Sequence, residues 1–158
     1  MCVMSETLQG DLPPMSILRP AAKLTHRGAM AVLEAALAAA ERLSIPQCIA
    51  IVDDGTNLLA FCRMDGSRVL SVESATRKAM TAASTGLPTG NLPEEKALLL
   101  AEATSGRMTN LPGGLPLMVD GMVVGAIGVG SGTSDQDVEI ARIGVAAFEK
   151  LLGEDDQR

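Results

Sequence analysis

The chain has 158 residues, enough for one domain with a substantial core, and 47% of them are hydrophobic. It contains no Trp, no Tyr and two Phe, and its formal net charge is -6. That balance argues against base stacking and against a phosphate-rich partner, so a nucleic-acid function is not expected. No run of 18 uninterrupted apolar residues marks a membrane span. Met1-Cys2-Val3-Met4-Ser5-Glu6 lacks the basic and apolar regions of a secretion signal, so a cytoplasmic location is expected.

Residues 1–22 carry Pro13, Pro14 and Pro20 and no clear period, and read as an N-terminal arm. Residues 25–44 form the first helix, with Val32, Leu33, Ala36, Leu37, Ala40 and Leu43 at helical spacing. Thr25 is its expected N-cap, and Ser44-Ile45-Pro46 ends it. Residues 47–53 are an apolar strand, Asp54-Gly55-Thr56-Asn57 a turn, and Leu58 to Met64 the returning strand. A hairpin centred on Gly55 would set Cys48 opposite Cys62, where two reduced thiols are the favoured reading over a disulfide or a metal pair.

A second helix runs from about Ser71 to Ser84, rich in small residues and closed by Gly86. Pro93 opens a short third helix. Thr104 to Pro112 is irregular. Gly113 to Gly132 then reads as a hairpin around Asp120-Gly121, the preferred pair for a type I′ turn. Thr133 and Gln136 have the spacing of a capping box ahead of the last helix. The order α, ββ, α, α, ββ, α gives an α+β sandwich: one domain over 23–153, and a tail over 154–158.

Glycines 125, 128, 130 and 132 interrupt the final strand and its exit. Bare backbone there would let a ligand or another backbone approach closely. A small apolar molecule beside Gly113, Gly114, Pro116, Gly128 and Gly130 is therefore the leading expectation. The spacing matches neither dinucleotide nor P-loop fingerprints, which leaves nucleotide binding unsupported.

Charged candidates are few. Lys78 lies in the helix of small residues, where burial would suit a base or amine nucleophile. Arg63 could clamp a carboxylate, with Asp65 next to it in a turn. The Gly113 and Gly114 amides could stabilise developing negative charge. These residues would serve a cofactor-free lyase or isomerase, the alternative to simple binding, in which Lys78 or Asp65 moves the proton. Plain readings stand beside each: a rim ion pair for Arg63 and Asp65, and a solvated helix face for Lys78.

Four segments in register resemble the GlcG/HbpS-like family, also found as the C-terminal part of PduO-type proteins. They are the Ala/Leu-rich first helix ending at Ile45-Pro46; Val52-Asp53-Asp54-Gly55 continuing to Arg63-Met64-Asp65-Gly66; Lys78-Ala79-Met80-Thr81-Ala82-Ala83; and Pro112-Gly113-Gly114-Leu115-Pro116 through Gly125-Ala126-Ile127-Gly128-Val129 to Gly132-Thr133-Ser134-Asp135-Gln136-Asp137. The resemblance implies a profilin-like α/β/α arrangement around an antiparallel sheet of about five strands, and homo-oligomers. It also raises haem as a cofactor, although the residues themselves require none. Were haem bound, His26, the chain's one histidine, would be the axial ligand. An accessory or assembly role without ligand is the remaining alternative.

Overall fold

A computed structural model describes residue 17 and residues 19–155. Most of the expected N-terminal arm (residues 1–16 and 18) and residues 156–158 lie outside the described residues. The elements are α1 (His26–Arg42), β1 (Cys48–Asp53), β2 (Leu58–Arg63), α2 (Ser71–Thr85), α3 (Glu94–Ala103), β3 (Gly114–Val119), β4 (Met122–Gly130) and α4 (Ser134–Asp155). Among the described residues the strands form one antiparallel sheet in the order β2-β1-β4-β3, four strands where about five were expected. None of the described helices is long and apolar enough to cross a membrane.

Local chemistry accounts for the boundaries. The Gly28 amide donates to Thr25 Oγ1 at 3.1 Å and caps α1. Gly86, at φ 67°, closes α2 in the left-handed region that glycine enters without strain. Pro93 is the N-cap of α3, one position ahead of the first helical residue. The capping box of α4 is reciprocal: the Gln136 amide donates to Thr133 Oγ1 at 3.3 Å and the Thr133 amide to Gln136 Oε1 at 2.9 Å. Asp120 and Gly121 have φ of 49° and 75°, as a type I′ turn requires. α4 runs through Asp155, past the expected domain edge at 153.

The sheet separates two unlike layers. On one face, α2 packs Ala75, Ala79 and Ala82 against Cys48, Ala50, Val52 and Ala126. On the other, α1 and α4 pack Val32, Leu33, Ile140 and Phe148 against Ile49, Ile51, Ile127 and Val129. β1 alternates between the two sets, as a pleated strand with both faces covered must. The bulkier layer supplies most of the hydrophobic stabilisation, at about 1.5–3 kcal/mol for each large side chain removed from water. α3 buries none of its residues, and Leu98 and Leu99 stay exposed.

The β1–β2 register corrects one expectation. A bulge between Ile51 and Val52 pairs Cys48 with Arg63 and Ile49 with Cys62. Cys48 therefore belongs to the α2 face, while Cys62 packs on the opposite layer, and both are free thiols. A one-residue offset moves a side chain to the other face, so the two sulfurs are not opposed.

Asp53 and Asp54 hold the β1–β2 turn. Asp53 Oδ1 accepts from the Asn57 amide at 2.8 Å, and Asn57 Nδ2 donates to both carboxylate oxygens. Asp54 pairs with Lys23 at 2.6 Å. Burial works to raise the Asp53 pKa, but hydrogen bonds from Asn57 and Gly55 and the charge on Lys23 outweigh it, leaving the carboxyl below its ordinary value. A folded-state pKa below the unfolded one contributes stability above the unfolded value of about 3.9, lost as pH falls through the folded value. Urea midpoints taken from pH 6 downward should therefore show Asp53→Asn less stable than the parent at pH 6. The gap should close below about pH 4.

Candidate functional site

The densest polar arrangement lies at the end of the sheet where β1 begins and β4 leaves. α2 brings Lys78 there from one layer, and the first turn of α4 brings Asp137 from the other. Lys78 Nζ donates to Asp137 Oδ2 and to the Val129 carbonyl, both at 2.7 Å. Each side chain is 5% exposed. Asp137 Oδ1 accepts from the Gly132 amide at 2.9 Å, and Gln47 Oε1 accepts from the same amide at 3.1 Å. Gln47 is fully buried, and its Nε2 has no partner among the described residues.

Gly113 seals this arrangement. Its φ is 114°, and a Cβ there would stand 2.8 Å from both Asp137 Cβ and Val129 O and 3.2 Å from Lys78 Nζ. Side-chain-free backbone is thus required for the close approach. Buried charges persist when paired and hydrogen-bonded, which this geometry achieves. Lys78 as placed is a strut between layers, with two donors spent and little exposure to solvent.

Lys78, Arg63 and Asp65 are not brought together. Arg63 ends β2 at the far edge of the sheet and Asp65 follows in the turn, both exposed. Neither takes part in an ion pair among the described residues; Lys78 pairs with Asp137 instead. The Arg77–Glu73 pair on the surface of α2 spans 2.8 Å.

The bare backbone expected beside a ligand receives helix α2. A Cβ on Gly128 would run into the Ala75 carbonyl oxygen and the Ala79 nitrogen, and one on Gly114 into the Lys78 carbonyl. On Gly130 it would stand 2.9 Å from Ser74 Oγ. This corrects the expectation of open ligand space at Gly114 and Gly128, where the α2 backbone fills it, and at Gly130, where the Ser74 side chain does. Pro116 lies half-buried on edge strand β3, opposite Ala126.

An apolar groove exists at the other end of the same hairpin. Leu24, Val119, Val124, Phe148, Leu151 and Leu152 supply its walls, and its volume is about 220 Å³. Thr25 and Gly28, from the start of α1, also line it. His26 stands between them in sequence, exposed on the first turn. Lys23 lies at the rim, paired with Asp54. No group of three or more His, Cys, Asp or Glu among the described residues is placed to hold a metal ion.

Relatives place this geometry in a family. The family model described as "Haem degrading protein HbpS-like" matches residues 24–146. GlcG of Escherichia coli K12 is 35% identical over 107 residues, covering 67% of this chain and 80% of GlcG. The corrinoid adenosyltransferase PduO of Citrobacter freundii is 31% identical over 135 residues, 82% of this chain, but the match spans only 40% of PduO. Among solved structures, a doubly substituted HbpS of Streptomyces reticuli superposes with a TM-score of 0.74 at 31% identity, covering 92% of this chain and 97% of that one. A PduOC:heme complex superposes with a TM-score of 0.73 at 27% identity, covering 80% and 95%. With most of its length inside the family model and the same fold as these structures, the chain belongs to the HbpS-like family.

Proposed function

We propose that this protein binds a largely apolar small molecule in the groove between the second hairpin, the start of α1 and the end of α4, and that haem is the ligand class. The observation that carries the reading is the aliphatic wall of Leu24, Val119, Val124 and Leu151, with Phe148, closed by Thr25 and Gly28 at the two ends of the turn that carries His26. A mostly apolar lining with few polar groups is what small-molecule sites share. The relative solved as a haem complex supports haem over other apolar ligands. Of the groups near the groove, His26 on the first turn of α1 would supply an imidazole nitrogen, while Lys23 at the rim is already paired with Asp54 and Asp155 adds a carboxylate to the lining. When bound, haem supplies a redox-active iron centre. The groove, at about 220 Å³, would receive only an edge of so large a ligand against its aliphatic walls, and the rest would lie outside it.

Adding hemin to the full chain and recording the Soret band tests this. We expect a saturable shift that His26→Ala abolishes and Phe148→Ala weakens about tenfold, the loss of roughly 1.4 kcal/mol of contact. Absence of a saturable shift removes haem as the ligand. An identical shift in His26→Ala moves the site away from this groove. The lyase or isomerase alternative gains no support from the geometry: Lys78 is buried as that reading wants, but its ammonium is held by Asp137 and Val129, and Arg63 and Asp65 stand apart from it in exposed positions.

A further inference from the structure

A second cavity, of the same volume as the groove, lies on the α2 side of the molecule. Its volume is about 220 Å³, and its walls are Thr56, Met80, Ser84, Thr104, Arg107 and Met108. Three segments converge to build it: the β1–β2 turn, the second half of α2, and the loop after α3. Each is pinned. The Thr56 amide donates to the Asp53 carbonyl at 3.1 Å, which fixes the turn. Thr104 Oγ1 donates to the Leu100 carbonyl at 2.7 Å and accepts from the Met108 amide at 3.0 Å. The Thr109 amide donates to Thr81 Oγ1 on α2 at 3.0 Å. The cavity is thus preformed, and binding would cost little ordering of the chain.

Its chemistry is uneven. Met80 and Met108 give polarizable, adaptable apolar walls. Arg107 is the one charged lining residue and enters no ion pair among the described residues. Its contact with the protein is a long bond to Thr56 Oγ1 at 3.5 Å. The Ser84 hydroxyl shows no hydrogen bond among the described residues and stands on α2 one turn after Met80. A guanidinium with unspent donors beside a hydroxyl, above thioether walls, matches a carboxylate carried on a short hydrocarbon. The volume is comparable to that of about seven liquid waters, which suits a ligand of roughly seven non-hydrogen atoms.

We propose that the Arg107 cavity is a binding site for a small aliphatic monocarboxylate of four to six carbons. Arg107 and Ser84 hold the carboxylate, and Met80 and Met108 enclose the hydrocarbon. This site does not depend on the haem groove.

The test uses the full chain labelled at its methionine methyl groups, titrated with 3-methylbutanoate and followed by NMR. Met80→Leu and Met108→Leu assign the two signals. The expected result is a saturable shift of both methyls in the millimolar range appropriate to so small a ligand. The neutral 3-methylbutanamide and the Arg107→Gln variant should each bind about tenfold more weakly, the loss expected for a charge-assisted bond. Arg107 is exposed, so the variant should keep the parent's melting temperature, which is checked alongside. The proposal is overturned if neither methyl shifts, if the amide binds as well as the acid, or if Arg107→Gln binds 3-methylbutanoate like the parent. Equal shifts with inorganic phosphate would also overturn it, because the hydrocarbon would then contribute nothing.

Discussion

Lys78→Met is expected to destabilise the protein by about 3–5 kcal/mol, the usual cost of leaving one member of a buried ion pair uncompensated. Asp137 would keep its Gly132 hydrogen bond but lose the ammonium 2.7 Å from Oδ2, and Val129 O would lose its donor. The double variant Lys78→Met, Asp137→Leu removes both charges and should recover most of the loss, because apolar groups of similar volume often replace a buried pair without penalty. Urea unfolding of the parent, the two single variants and the double variant measures the coupling directly. Losses below 1 kcal/mol in both single variants would show that the pair carries little energy. Any lyase or isomerase activity found later and retained in Lys78→Met would also exclude Lys78 as its base.

The second large effect is expected at Gly128. An alanine there places a methyl on the Ala75 carbonyl and the Ala79 amide, both backbone atoms that cannot rotate away. Helix α2 would have to lift from β4, with a cost of about 3 kcal/mol or more, at the upper end for overpacking. The entropy gained by removing a glycine from the unfolded chain, about 0.4–1 kcal/mol, is too small to offset it. Gly153→Ala is the matched control. It lies in α4 with nothing within 4 Å of the added Cβ, so it should be neutral or stabilise by up to about 1 kcal/mol. Equal melting temperatures for the two variants would mean that α2 is not seated on bare backbone.

What could be read from the chain alone divides by distance along it. Caps and turns were legible because each is settled within a few residues: Thr25 and Gly28, Thr133 and Gln136, Asp120 and Gly121. The α+β order and the family resemblance were legible for the same reason, as four local segments in sequence. The use of the glycines was only half legible. Their lack of side chains announced a close approach, but whether a ligand or a helix arrives depends on where α2 docks. Asp137 was visible as a residue of the first helical turn, not as the partner of a lysine 59 positions earlier. An isolated lysine among alanines on a helix that must bury one face was the signal that a carboxylate had to meet it. The apolar groove was not legible, since Leu24, Val119 and Phe148 meet only through the tertiary fold.

The bulge between Ile51 and Val52 has a consequence for oxidation. Because it shifts the pairing of the first hairpin by one position, the full thickness of the sheet separates the sulfur of Cys48 from that of Cys62. No rotation of either side chain can join them, so oxidants cannot lock that hairpin covalently. Cys48 lies sealed beneath α2, and Cys62, the less enclosed of the two, has no thiol within reach among the described residues.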